Sequence, residues 1–109
     1  MNTLTTHVLD TTIGKPAQGI RVVLERGDDL VGEGVTDADG RQRDLIGKDA
    51  KLEPGDYTLT FYVADYFAKA KRETFYKQIA ISFTVAAGSQ HYHVPLLLSP
   101  FGYSTYRGS

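Results

Sequence analysis

The chain has 109 residues, a formal net charge of −1 and no cysteine, with 41% hydrophobic and 23% charged residues. This length predicts a single domain over residues 1–109, with enough apolar content for one core. The near-neutral charge disfavours nucleic-acid binding, and the lack of cysteine excludes disulfides and thiolate chemistry. No run approaches the roughly 20 apolar residues of a membrane span. Since no secretory signal opens the sequence, we expect a cytoplasmic protein, with a cleaved leader as the alternative.

Short β-type segments separated by turn signals run through the whole chain. The predicted strands comprise residues 3–10, 20–26, 30–36, 56–63, 78–85, 91–98 and 103–107, with a short segment at 41–46. The predicted turns each carry Gly or Pro and lie at residues 11–18, 27–29, 37–40, 47–55, 86–90 and 99–102. Residues 64–71 contain helix formers without Gly or Pro and predict two turns of helix. Seven or eight short strands with one helix predict an all-β sandwich.

Side-chain alternation separates a core face from an outward face in the strand at residues 91–98. The large apolar set that should face the core is Tyr92, Val94, Leu96 and Leu98. This orientation turns His91 and His93 away from the core, and the first strand presents His7 outward by the same period. In the last strand Ser104 and Tyr106 share a face. These polar faces either meet solvent or line a shared cleft or interface.

Three histidines and two arginines are the candidates for chemistry. Histidine is the side chain best suited to proton transfer near neutral pH, so His7 and His93 are candidate acid–base groups. A solvated histidine is the simpler interpretation of either one alone. Together with His91 they would also suit a three-histidine zinc site, although the spacing is unspecific. Arg41, just past a turn, could hold an anion or a developing oxyanion; Arg43 is equally placed by spacing, and a solvated arginine is the simpler interpretation.

Four segments together resemble the 5-hydroxyisourate hydrolases of the transthyretin-like family. They are Leu-Thr-Thr-His-Val-Leu-Asp at 4–10, Asp-Gly-Arg at 39–41, His-Tyr-His-Val-Pro-Leu-Leu at 91–97 and Tyr-Arg-Gly-Ser at 106–109. The likeness covers essentially the whole chain. Its most specific element is the terminal Tyr-Arg-Gly-Ser, since the hormone-carrying transthyretins lack both that motif and the histidines. The resemblance implies a transthyretin-like sandwich of two antiparallel sheets. It also implies a homotetramer, a dimer of dimers, with active sites at the dimer–dimer interface.

The resemblance further implies an activity and a set of site residues. The activity is hydrolysis of 5-hydroxyisourate to 2-oxo-4-hydroxy-4-carboxy-5-ureidoimidazoline in urate degradation, by histidine-assisted attack of water on a cyclic amide carbonyl. The implied catalytic residues are His7, Arg41, His93 and Ser109, and the implied substrate-binding residues are His7, Arg41, Tyr106 and Arg107. Neither a metal nor another cofactor is expected, and the only expected partners are the small-molecule substrate and further copies of the chain. The alternative function is a transthyretin-like small-ligand-binding protein without catalysis.

Overall fold

The computed structural model describes residues 2–46 and 52–108. Its strands are β1 (Thr3–Asp10), β2 (Lys15–Pro16), β3 (Arg21–Arg26), β4 (Asp29–Val35), β5 (Arg41–Gln42), β6 (Gly55–Tyr62), β7 (Ile79–Val85), β8 (His91–Ser99) and β9 (Gly102–Thr105). One short helix, α1 (Ala64–Lys69), follows β6. Within the described part of the chain, no helix is long and apolar enough to cross a membrane.

The strands form two sheets, which confirms the predicted sandwich. One sheet has the order β2-β1-β8-β9, with β5 also pairing with β1, and the other has the order β4-β3-β6-β7. The second sheet is antiparallel throughout, whereas β1 and β8 run parallel in the first. These two strands come from opposite ends of the chain, so no hairpin forces them to be antiparallel. The first sheet is therefore mixed, which differs from the expectation of two antiparallel sheets.

The inward faces of both sheets build one apolar core. The largest fully buried side chains are Phe61, Phe67, Leu4, Ile20, Leu24, Leu52, Leu59, Ile79, Leu96, Leu98, Val8 and Val22. Each such side chain contributes about 1.5–3 kcal/mol when it leaves water. The predicted inward set of β8 is buried, so the face assignment of this strand is confirmed. Pro95, on the outward face, is nevertheless buried, because the segment around Gly108 lies against its ring.

Several element boundaries differ from the prediction, and the segment predicted at 41–46 is reduced to β5 at Arg41–Gln42. The predicted turn at 11–18 contains β2, which pairs with the end of β1. The helix ends at Lys69, and Lys71 already has a positive φ of 55°. The last strand ends at Thr105, after which the chain makes only a single bridge from Gly108 to His93. Of the predicted loop at 47–55, residues 47–51 lie outside the described residues, as does Ser109.

One buried ion pair fastens the end of β1 to the segment that follows α1. The Asp10 side chain is fully buried and accepts hydrogen bonds from the Arg72 guanidinium at 2.6 Å and the Tyr66 hydroxyl at 2.7 Å. Burial raises the pKa of Asp10, but the Arg72 and Tyr66 hydrogen bonds outweigh it and hold that pKa below its usual range. Burial and the Asp10 carboxylate raise the pKa of Tyr66 to about 12. This cluster therefore links the end of β1, the strand that carries His7, to α1 and the segment that follows it.

Candidate active site

Strand pairing brings His7, Arg41 and His93 onto the outward face of the first sheet. In the parallel register of β1 and β8, Thr5 lies opposite His93. On the other edge of β1, β5 places Arg41 directly opposite His7. Residues directly opposite each other on neighbouring strands project from the same face, so these side chains stand side by side across the sheet. Strand pairing thus brings together residues from three separate segments, each of which was a candidate by itself in the sequence.

A polar cleft of about 270 Å³ opens on this face. The residues that line it are Thr5, Thr6, Arg41, Arg43, His91 and His93. None of these lining residues is acidic, and two are permanent cations, so the cleft favours polar or anionic ligands. The sequence could not decide between Arg41 and Arg43, and both line the cleft, but only Arg41 is in a strand paired with His7. The Arg43 side chain is more than half exposed and forms a long ion pair of 3.9 Å with Asp37.

A tight turn before β5 sets the position of Arg41. One carboxylate oxygen of Asp37 accepts hydrogen bonds from the backbone N–H of Asp39 at 2.9 Å and of Arg41 at 3.0 Å. Gly40 has a φ of +73°, and its carbonyl accepts a 2.7 Å hydrogen bond from the Val8 N–H. A side chain at Gly40 would collide with the Val8 carbonyl oxygen. The turn therefore requires glycine at this position, and it holds Arg41 at a fixed place beside β1.

The electrostatic environment of His7 favours its neutral form. Partial burial lowers the pKa of His7, and the nearby Arg41 guanidinium lowers it further. A hydrogen bond with the Asp39 backbone and the carboxylates of Asp37 and Asp39 oppose this shift without cancelling it. A neutral imidazole retains a lone pair, so His7 can accept a proton near neutral pH.

The neutral form of His93 is favoured in the same way. Burial lowers its pKa first, followed by the positive charge of Arg41 and the neighbouring imidazoles of His7 and His91. A hydrogen bond with the backbone of Thr5 works in the opposite direction. His93 at the cleft and His7 beside Arg41 are thus two imidazoles that favour the neutral form near a permanent cation, an arrangement suited to acid–base catalysis with charge stabilisation.

A line of hydrogen bonds joins the two histidines of β8 through threonines of β1. The Thr3 hydroxyl contacts His91 Nδ1 at 2.6 Å, and the Thr5 hydroxyl contacts His91 Nε2 at 3.0 Å and His93 Nδ1 at 2.8 Å. The two rings are stacked at 15° with centroids 6.4 Å apart. Thr5 was not among the site residues predicted from the sequence. The available signal was the period of β1, which puts Thr5 on the same outward face as His7.

The C-terminal segment passes beside His93. The Gly108 N–H donates a 2.8 Å hydrogen bond to the His93 carbonyl. A Cβ atom at Gly108 would lie 2.6 Å from His93 Cδ2, so the segment approaches the ring as closely as a glycine allows. This contact places Gly108 of the terminal motif beside His93, and Ser109, a predicted catalytic residue, lies outside the described residues.

Tyr106 and Arg107, the other two predicted substrate-binding residues, lie apart from the histidine cleft within one chain. Both line a second cavity of about 210 Å³ between β7, β8 and β9. The Arg107 guanidinium lies over the Tyr92 ring at 4.5 Å and donates to Gln90 at 2.9 Å. Tyr106 is 57% exposed. In a single chain, the structure therefore brings His7, Arg41 and His93 together and leaves these two residues elsewhere.

The three-histidine zinc site does not gain support from this geometry. Among residues 2–46 and 52–108, no group of three His, Cys, Asp or Glu side chains is arranged to hold a metal ion. Both ring nitrogens of His91 and the Nδ1 of His93 are engaged by threonine hydroxyls instead.

A model of the HIUase/Transthyretin family matches residues 4–108. The chain belongs to this family. A family relative from Deinococcus radiodurans named 5-hydroxyisourate hydrolase is 50% identical over 113 residues, which cover 97% of this chain and 95% of the relative. The solved structure of Klebsiella pneumoniae 5-hydroxyisourate hydrolase superposes with a TM-score of 0.90 at 40% identity, covering 100% of this chain and 94% of the other. Sea bream transthyretin in complex with thyroxine gives a TM-score of 0.90 at 28% identity, with 97% and 94% covered.

Proposed function

We propose that this family member hydrolyses 5-hydroxyisourate to 2-oxo-4-hydroxy-4-carboxy-5-ureidoimidazoline, a step in urate degradation. The observation that carries the proposal is the assembly of His7, His93 and Arg41 on one sheet face, where His93 and Arg41 line a polar cleft. The names of the Deinococcus and Klebsiella relatives support the same substrate, because both are 5-hydroxyisourate hydrolases that align over nearly the full chain.

The proposed mechanism uses a neutral histidine as the base. One of His7 and His93 takes a proton from water as the water oxygen bonds to the ring carbonyl carbon. Arg41 stabilises the negative charge that develops on the carbonyl oxygen. The other histidine positions the substrate or protonates the leaving ring nitrogen as the C–N bond breaks. The lowered pKa of both histidines supports these roles, because the base must be unprotonated at neutral pH.

The size of each contribution makes this residue set sufficient for catalysis. A positioned general base or acid contributes about 10²–10⁴-fold, and one oxyanion-stabilising group contributes about 10²–10³-fold. These groups act on a cyclic amide that is already reactive. The proposal therefore assigns no metal or organic cofactor to the reaction.

The charged lining of the cleft distinguishes this proposal from non-catalytic binding. Pockets for small apolar ligands are lined mostly by hydrophobic and aromatic side chains. The histidine cleft instead contains threonines, histidines and arginines. The fold is shared with a thyroxine-bound transthyretin, so the side chains on the outward face must decide the function.

We further propose that the chain acts as a homotetramer, a dimer of dimers, with active sites at the dimer–dimer interface. The histidine cleft is open on the outward face of the first sheet, and Tyr106 and Arg107 do not reach it within one chain. Assembly through this face would enclose the cleft and allow side chains of another copy to contribute. Large exposed hydrophobic side chains on and near β9, Phe101 and Tyr103, supply further surface for such contacts.

The decisive experiment follows 5-hydroxyisourate directly. The compound is generated with urate oxidase, and its ultraviolet decay is recorded with and without the purified protein. We expect strong acceleration, which His7→Asn, His93→Asn and Arg41→Lys each reduce by about 10²-fold or more. Arg21→Lys is a matched control, because Arg21 pairs with Glu33 at the exposed surface of the other sheet. Decay no faster than the spontaneous reaction would overturn the proposed function.

A further inference from the structure

His91 is the histidine that the proposed hydrolysis leaves without a task. It is exposed, yet both of its ring nitrogens are held by hydroxyls, Nδ1 by Thr3 at 2.6 Å and Nε2 by Thr5 at 3.0 Å. The same Thr5 hydroxyl reaches His93 Nδ1 at 2.8 Å. A continuous line of hydrogen bonds therefore runs from His93 through Thr5 and His91 to Thr3 at the exposed end of β1.

This line has two possible directions. A neutral imidazole carries a proton on only one nitrogen, and a hydroxyl donates one hydrogen bond while it accepts another. In one direction His93 carries its proton on Nδ1 and donates to Thr5, which leaves the Nε2 lone pair free. In the other direction Thr5 donates to His93 Nδ1, and Nε2 carries the proton. Reversing the line converts His93 from a base into an acid.

We propose that Thr5 and His91 form a proton relay for His93, in which the Thr5 hydroxyl passes the proton gained in each turnover from His93 to His91. This inference rests on the proposed hydrolysis with His93 as the base. His91 does not touch the reacting atoms, so it acts as a positioning and proton-accepting residue behind the catalytic one.

Each proton that enters the relay also leaves it, so His93 returns to its starting form. As water adds to the carbonyl, His93 Nε2 takes a proton from the water, the His93 Nδ1 proton moves to the Thr5 oxygen, and the Thr5 proton moves to His91 Nε2. His91 then releases its Nδ1 proton to solvent, directly or through Thr3. As the C–N bond breaks, His93 gives its Nε2 proton to the leaving ring nitrogen and the line runs back: His91 Nε2 gives a proton to Thr5, Thr5 gives one to His93 Nδ1, and His91 Nδ1 regains one from solvent. The product carboxylic acid ionises to solvent at neutral pH.

The layout of charges favours movement in this direction. Arg41 lies opposite His7, whereas His93 and His91 lie opposite Thr5 and Thr3. By strand spacing, His93 is therefore about 7 Å and His91 about 13 Å along the sheet from the level of Arg41. A positive charge on His93 faces Arg41 and His7, while Arg43 is the other cation that lines the cleft. Transfer to exposed His91 moves that charge away from Arg41 and into water.

The kinetic test compares Thr5→Val, Thr5→Ser and His91→Ala in the full-length protein. In weakly buffered solution we expect Thr5→Val and His91→Ala to lower kcat about tenfold with KM changed less than twofold, which is less than the 10²–10⁴-fold of a direct acid or base because both residues act through His93. Thr5→Ser should recover most of the loss because it keeps the hydroxyl. Added imidazole should restore the kcat of His91→Ala by replacing the missing proton acceptor. Thr58→Val, which removes a hydroxyl from the outer face of the other sheet, should leave kcat unchanged.

Three results would overturn the relay. They are a Thr5→Ser variant as slow as Thr5→Val, a loss confined to KM, and a His91→Ala variant that imidazole does not restore. The first would indicate that the shape of Thr5 matters and not its hydroxyl, and the second would indicate a substrate contact.

A substrate-free measurement separates the relay from the proposed function. Nitrogen-15 spectra of the imidazole rings should show one defined tautomer for His91 and for His93, and Thr5→Val should change both, because it removes the hydroxyl that links their ring nitrogens. Tautomers that Thr5→Val leaves unchanged would overturn the relay even if hydrolysis is rapid. If the protein fails to accelerate 5-hydroxyisourate decay while both tautomers respond to Thr5→Val, the proposed function falls and the hydrogen-bonded relay stands.

Discussion

At the scale of single residues, the candidate site combines two histidines of lowered pKa with a permanent cation. His7 and His93 are each partly buried, and each lies within the field of Arg41, so both have a lowered pKa. Sequence alternation predicted that both histidines point away from the core, and the structure agrees. Sequence alternation could not predict that both histidines lie near Arg41, because that depends on how β5 pairs with β1.

Removing the guanidinium should raise the pKa of both histidines. Arg41 is the second cause of each lowered pKa after burial, so Arg41→Gln should move both values upward, though not fully to that of a solvated histidine. Proton NMR titration of the imidazole signals measures this directly. Arg43→Gln is the matched control and should shift neither pKa, since Arg43 is not a cause of either shift.

The pH profile of the native enzyme should reflect the lowered pKa of the two histidines. We expect kcat/KM to fall on the acidic side only when the pH drops below about 6.5, the ordinary pKa of histidine. A fall in kcat/KM that begins above pH 6.5 would contradict this prediction.

The approach of Gly108 to His93 makes the C-terminal segment sensitive to a single methyl group. Gly108→Ala would place a Cβ atom 2.6 Å from His93 Cδ2, so the ring or the segment must shift. We expect kcat/KM to fall about tenfold or more, since small displacements of catalytic groups are costly. Gly102→Ala is the control, because its nearest neighbour would be Ser99 Oγ at 3.6 Å, an ordinary contact. Equal activity of the two variants would exclude this role for Gly108.

At the scale of elements, a turn and an ion pair hold β1 and its neighbours in register. The turn before β5 depends on Asp37 and Gly40, and the cluster of Asp10, Tyr66 and Arg72 secures the far end of β1. The sequence indicated the turn from its Asp-Ala-Asp-Gly composition. The ion pair could not be predicted, because Asp10 and Arg72 are 62 residues apart and no local pattern links them.

Gly40→Ala should destabilise the protein more than a similar change at another glycine with positive φ. Gly14 and Gly40 have φ values of +66° and +73°, so alanine is strained at both by about 1–2 kcal/mol. Only at Gly40 would the new methyl group collide with the Val8 carbonyl. Urea unfolding should therefore show a larger loss for Gly40→Ala, accompanied by lower activity because Arg41 moves. A larger loss for Gly14→Ala would contradict this account of the turn.

Loss of the Asp10 carboxylate charge should be costly and should change the pH dependence of stability. Asp10→Asn weakens a buried pair, and we expect the free energy of unfolding at pH 7 to fall by about 3 kcal/mol. Glu33→Gln, which weakens the exposed pair with Arg21, should cost less than about 1 kcal/mol. Because the folded pKa of Asp10 is lowered, its stabilisation is present above the unfolded pKa of about 4 and is lost as pH falls through the folded pKa. Urea unfolding below pH 4 should therefore be less pH-dependent in Asp10→Asn.

The same cluster should weaken at alkaline pH. The pKa of Tyr66 is raised to about 12, so its contribution is present below the unfolded pKa of about 10 and is lost as pH rises through 12. Tyr66→Phe should remove this alkaline component from the stability profile. An unchanged profile between pH 10 and 12 would exclude a stabilising role for the Tyr66 hydrogen bond.

At the scale of the whole molecule, the two-sheet sandwich buries the inner face of each sheet and leaves the outward face of the first sheet open. The inner faces share the core, and the outward face of the first sheet carries the histidine cleft. The fold is common to relatives named as hydrolases and to transthyretin, so architecture alone does not select the activity. The proposed assembly through the open face would complete the site.

The proposed tetramer should be visible in solution as a mass of about four times 12.0 kDa by light scattering after size exclusion. Activity per chain should fall on dilution together with the tetramer fraction, because the cleft would lose the surface that encloses it. His93→Asn should retain the tetramer mass, since it removes a proton acceptor without changing the size of the outward face. A fully active monomer would exclude the interfacial site.

The sequence by itself determined the strands, the faces they present and the family. Alternation with a period of two is a local property, so it could be read along β1 and β8 without knowledge of their partners. Only the tertiary structure decided that these strands run parallel and that Thr5 meets His93 across 88 residues of chain. It also decided that Arg41, of the two equally spaced arginines, is paired with His7. The register between distant strands is fixed by the packing of both sheets on one core. It therefore cannot be inferred from any single segment of the sequence.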